Sequence, residues 1–115
     1  MLRGDIHVAD LEPSRGSEAS KRRPVVVVSN DSLNEVVARN GRGVVTVVPI
    51  TSSTARVHDF QVLLPASETG LEIDSKAQAE QVRAVDAERL GRRVGHVSGP
   101  LMNRLDDALR LHLAL

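Results

Sequence analysis

Apolar residues fall in short β-branched runs through most of this chain and take up a helical spacing only near its end. The run 24–29 (PVVVVS) has no helical stripe and reads as a strand buried on both faces. Residues 5–11, 43–50 (GVVTVVPI), 60–64 (FQVLL), 70–73 and 92–97 (RRVGHV) read as further strands. Residues 81–85 (QVRAV) alternate polar and apolar positions, which predicts a half-exposed strand. Pro49 predicts an edge or a bend, because it has no N–H to give to a ladder. Between these runs, 13–21 is rich in Pro, Gly and Ser and reads as a loop, and 40–43 as a turn. A helix is predicted from about residue 30, with Ser32 and Glu35 at capping-box spacing, and a single helical turn over 86–90. Beyond Ser98, a candidate cap, Leu101, Leu105, Ala108, Leu109 and His112 share one helical face. Leu111, Leu113 and Leu115 widen that face, as a partner contact or a deeply buried terminal helix would.

Many short strands without regular strand–helix alternation argue against a parallel α/β sheet. The predicted class is mainly β with some α: a small, partly open antiparallel barrel with short helical inserts and a C-terminal helix. At 115 residues, one domain over 1–115 is expected.

Composition removes several function classes. Cysteine is absent, which excludes disulfide scaffolds, thiolate metal sites and cysteine nucleophiles. His7, His58, His96 and His112 show no metal-ligand spacing, and neither the serine-hydrolase elbow nor a phosphate-binding glycine loop is present. Phe60 is the sole aromatic, so a base-stacking sheet is not expected. The 15 basic and 15 acidic side chains balance, so any nucleic-acid affinity must come from a local basic stripe. No segment has the apolar length of a membrane span, and the N-terminus lacks a signal-like apolar stretch. A cytoplasmic protein that does not engage membranes is the expectation.

The remaining tools are arginine, hydroxyl, carboxylate and backbone groups. They suit RNA cleavage by the substrate's own 2′-hydroxyl, where an arginine fork stabilises the pentacoordinate phosphorus and no cofactor is needed. Arg22 and Arg23 stand where the first loop meets the valine strand, and Thr51 directly follows the strand ending in Ile50. Taken singly, these residues read first as solvated surface and only second as a phosphate site. The same holds for Ser17 and Glu18 in the loop, and for Glu80 and Gln81 at the start of the alternating strand.

Taken in order, the segments 3–6 (RGDI), 10–13 (DLEP), 16–18 (GSE), 21–31 (KRRPVVVVSND), 47–52 (VVPITS), 75–77 (SKA) and 80–86 (EQVRAVD), with Arg89-Leu90, resemble the MazF/PemK (Kid) family of toxin endoribonucleases. The resemblance runs from Arg3 to Leu113. It implies an SH3-like barrel, a homodimer with an RNA groove, metal-independent cleavage of single-stranded RNA at short sequences, and a cognate MazE-like antitoxin whose extended acidic segment fills the groove. By resemblance Arg23 and Thr51 match the catalytic arginine and threonine. Ser17, Glu18, Arg22, Glu80, Gln81 and Arg83 are assigned to RNA binding. His7 departs from the pattern, which often has Trp or Tyr there. Arginine is protonated near neutral pH, so Arg23 is assigned to charge stabilisation rather than to the base, for which Glu18 or a water remains. The expected basic stripe comprises Arg15, Lys21, Arg22, Arg23 and Arg83. The rival reading is a CcdB-like toxin of similar fold that binds DNA gyrase without catalysis. The C-terminal LHLAL lacks the ending associated with those poisons.

Overall fold

The computed structural model describes residues 1–115. The valine runs form the centre of the sheet, as their two-sided burial requires. β1 (Asp5–Asp10) and β2 (Arg22–Val27) pair antiparallel, and β2 pairs in turn with β3 (Val44–Thr51). β4 (Gln61–Leu64), β5 (Ser75–Gln78), β6 (Arg83–Asp86) and β7 (Leu90–His96) complete the strands. The sheet order is β4-β5-β3-β2-β1-β7, with β6 also on β3, and every pairing is antiparallel. The sheet curls into a barrel-like form without closing.

β3 changes partner along its length. Val44 to Val47 pair with β6, whereas Ile50 and Thr51 pair with β5. Pro49 falls in the gap between them, where its missing N–H leaves no ladder bond unmade. Alternation along β2 and β3 sends side chains into two separate cores. Val26, Val48 and Ile50 pack with Leu64, Leu101 and Leu105, which belong to β4 and the C-terminal helix. Val25, Val45 and Val47 pack with Leu11 and Val37 on the other side.

Three helices decorate the sheet: α1 (Asp31–Asn40), the single turn α2 (Ala66–Thr69) and α3 (Gly99–Leu113). Short 3-10 turns span Ala79–Gln81 and Ala87–Arg89. No helix is long and apolar enough to cross a membrane.

Four expectations require correction. The cap of α1 is Asn30, whose side chain accepts from Leu33 N at 2.8 Å, not Ser32. Ser29 and the buried Asn34 lock this start further, with a 2.6 Å bond between their side chains. No strand covers 70–73; Gly70 ends α2 in the left-handed region at φ 83°, and the strand begins at Ser75. Residues Glu80 and Gln81 belong to a 3-10 turn, and the strand beyond them starts at Arg83. The exposed Leu111, Leu113 and Leu115 lie beyond the buried part of α3, so the terminal helix is not buried throughout.

Candidate active site

The loop before β2 is turned sharply back at its base, which sets Arg22 and Arg23 at the start of the strand. Lys21 N donates to Glu12 Oε1 (2.8 Å), and Leu11 N donates to Lys21 O (3.0 Å). Lys21 itself takes a left-handed conformation at φ 67°, which non-glycine residues adopt at some cost. The loop is tied on its other side by Gln81. Its Nε2 donates to Ser17 O and its Oε1 accepts from Ala19 N, both at 3.0 Å. Arg89 adds bonds from Nη1 to the carbonyls of Asp10 and Glu12.

The β2–β3 register decides where the arginines meet the hydroxyl. Val25 stands opposite Pro49. That is the outermost pair of the β2–β3 ladder, and Arg23 and Thr51 each lie two residues beyond it on neighbouring strands, where both line the same cleft. On its other flank Arg23 pairs with the small, buried Ala9. Arg23 Nε donates to Ser20 O at 2.8 Å, which fixes the guanidinium and leaves its Nη groups free. Thr51 Oγ1 accepts from Ser53 N at 3.2 Å, so its own hydrogen remains available to a ligand.

Arg22, Arg23 and Thr51 all open onto one cleft of about 660 Å³. Its floor and walls come from the start of β2, the end of β3, the turn after α2 and the middle of β7. Five cationic side chains line it (Lys21, Arg22, Arg23, Arg92 and Arg93), against one carboxylate, Glu72. A neutral chain thus carries a locally basic furrow, and desolvating walls such as Val8, Leu71 and Ile73 strengthen its field.

The other sequence candidates lie outside that cleft. Ser17 and Glu18 are exposed on the loop, so Glu18 is not positioned there as a base. Gln81 holds this loop, as described. Glu80 Oε2 accepts from Gln61 Nε2 at 2.7 Å, while its buried Oε1 has no partner. Arg83 Nη1 reaches Leu11 O at 3.5 Å, and Arg15 is exposed on the loop. His7 Nδ1 donates to Gly91 O at 2.9 Å, a carbonyl being able only to accept, so His7 serves packing between β1 and β7. Two cleft residues escaped the sequence reading: Arg92 and Arg93. The strand pattern of 92–97 was legible, but only the adjacency of β7 to β1 brings these arginines to the cleft.

Residues 2–113 match the family described as PemK-like, MazF-like toxin of type II toxin-antitoxin system. The chain belongs to that family. It is 57% identical to Endoribonuclease MazF9 of Mycobacterium tuberculosis over 115 residues, 100% of this chain and 98% of that protein. It is similar in structure to an endoribonuclease in complex with its cognate antitoxin from a mycobacterial species, at TM-score 0.78 and 26% identity, covering 100% of this chain and 96% of that one. MazF of Deinococcus radiodurans shares the fold at TM-score 0.83 and 23% identity, with 100% and 97% covered. These PemK/MazF relatives leave the gyrase-binding alternative without support.

Proposed function

We propose that this toxin is a metal-independent endoribonuclease that cuts single-stranded RNA at the cleft carrying Arg23 and Thr51. The observation that carries the reading is their placement on adjacent strands, facing one basic furrow in an otherwise neutral protein. The cleavage is an internal displacement. The 2′-oxygen loses its proton and bonds to phosphorus, the bond to the 5′-oxygen breaks, and that oxygen takes up a proton. The products are a 2′,3′-cyclic phosphate and a 5′-hydroxyl.

Arg23 supplies charge-assisted donors to the equatorial phosphate oxygens, where negative charge grows. Its bond to Ser20 O holds the fork before substrate arrives, which lowers the reorganisation cost. Thr51 donates a further bond to the same phosphate group. Lys21 and Arg22 draw the strand in. Ser17, Glu18, Glu80, Gln81 and Arg83 contact RNA beyond the cleft or hold the groups that do. A cognate MazE-like antitoxin inserts an extended acidic segment into this furrow, which suits a polyanion or an acidic peptide alike. The exposed Leu111, Leu113 and Leu115 support a homodimer, and the cytoplasm, where mRNA is found, is the site of action.

Sequencing the 5′ ends generated on a long RNA by the wild type and by Arg23→Ala tests the reading. The wild type should produce 5′-hydroxyl ends at a recurrent short sequence in the presence of EDTA. Arg23→Ala should lose roughly 10²–10³-fold in kcat, as expected for removing a charge-stabilising donor. Cleavage of a substrate with deoxyribose before the cut would overturn the 2′-hydroxyl mechanism.

A further inference from the structure

Of the charged groups facing the cleft, Arg93 has a buried support that the catalytic reading does not use. Asp5 lies at the start of β1, and its side chain is 8% exposed, against 55% for Arg93. Asp5 Oδ1 accepts from Arg93 Nε at 3.1 Å and lies 3.1 Å from His96 Nδ1. Its Oδ2 accepts from Leu2 N at 2.9 Å. Burial pushes the Asp5 carboxyl upward, but these donors outweigh it and hold the group below its ordinary range. Asp5 is therefore an anionic anchor beneath the far wall of the cleft. Only the Nε of Arg93 is engaged, which leaves its Nη groups without a protein partner in a residue that lines the cleft.

The sheet places this group at a second position along a bound strand. Arg93 pairs with His7 on β1, and Arg23 pairs with Ala9 on the opposite flank of β1. The two arginines thus stand on β7 and β2, two strand spacings or ~10 Å apart across the sheet. Arg23 and Thr51 already offer donors to the reacting phosphate from one side of the cleft, whereas Arg93 enters it from β7, at the far end of this three-strand row. We propose that Arg93 binds a second phosphate of the RNA strand, adjacent to the one being cleaved, and that Asp5 is the positioning residue that holds its guanidinium for this contact. The assignment rests on the RNA reading of the cleft, but its test reads binding without cleavage.

Binding of a short mixed-sequence 2′-O-methyl oligonucleotide, which cannot react by 2′-hydroxyl attack, is measured by fluorescence anisotropy across a salt series. Arg93→Gln should weaken binding about tenfold at low salt. It should also flatten the slope of log affinity against log salt by ~0.7, the loss of one phosphate contact. Asp5→Asn should weaken binding in the same direction, and the double variant should bind no worse than Arg93→Gln alone. On cleavable RNA, Arg93→Gln should raise KM and leave kcat within about twofold, in contrast to Arg23→Ala.

Three results overturn the assignment: wild-type affinity and slope in Arg93→Gln; effects of Asp5→Asn and Arg93→Gln that multiply; or tighter binding by Asp5→Asn, which would mean that its negative charge outweighs its positioning. Arg93 is exposed and its replacement leaves the cores intact, so the test does not depend on the stability of Asp5→Asn. Normal oligonucleotide binding with no cleavage of any RNA by the wild type would refute the nuclease reading while leaving this assignment standing.

Discussion

At the scale of single residues, chemistry is set by what holds each side chain. Arg23 is held by a carbonyl and faces open space, whereas Asp5 is held by three donors and faces none. Arg23→Lys keeps the charge but loses both the Nε bond and the planar fork. Its kcat should therefore fall well over tenfold while RNA affinity falls little, as single-turnover and binding measurements would show. Asp5 makes stability depend on acid. Its folded pKa lies below the ordinary value of 3.8, so its contribution is complete above that value and is lost as pH falls toward the folded one. The urea midpoint of the wild type should exceed that of Asp5→Asn at pH 7, and the gap should narrow below about pH 4. Arg23 and Thr51 became candidates only through the ordered segments around them that resemble the toxin family, since strand adjacency alone describes a surface arginine and a loop threonine equally. Arg93 did not, because its importance depends on which strand lies beside β1, a long-range pairing that no local pattern encodes.

At the scale of elements, the loop before β2 hangs on few bonds. Gln81 holds it at Ser17 and Ala19, and Glu12 closes its base. Gln81→Ala should leave the melting temperature nearly unchanged yet open residues 12–21 to proteolysis, with a several-fold loss in kcat/KM. The opposite wall is rigid for a different reason. A Cβ at Gly95 would lie 2.2 Å from Thr69 O, so β7 and α2 are packed backbone to backbone beside the cleft. Gly95→Ala should cost about 1–3 kcal/mol in a denaturant titration, the usual range for overpacking. The sequence concealed these elements for physical reasons. α2 is a single turn, too short to show a period. β5 carries Ser75, Lys76 and Gln78 and lacks β-branched residues, yet pairing on both flanks makes it a strand and buries Lys76. The cap of α1 fell two residues before the expected Ser32, since Asn30 and Ser32 are both competent caps and the Ser29–Asn34 contact selects the first.

At the scale of the molecule, zero net charge and a basic furrow coexist because the acidic side chains lie elsewhere on the surface. RNA affinity should fall steeply with salt although the isoelectric point is near neutral, and a flat salt response would contradict a phosphate-lined path. The fold class followed from strand density and the lack of alternation, while the partner exchange along β3 emerged only in three dimensions. That exchange has a consequence for how the toxin fails. One ribbon of eight residues is the party wall between both oily compartments, and it also ends in Thr51. Neither compartment can melt and leave the other standing. On heating, loss of nuclease activity and loss of far-ultraviolet circular dichroism should coincide, with no warm, half-dissolved form that still cuts.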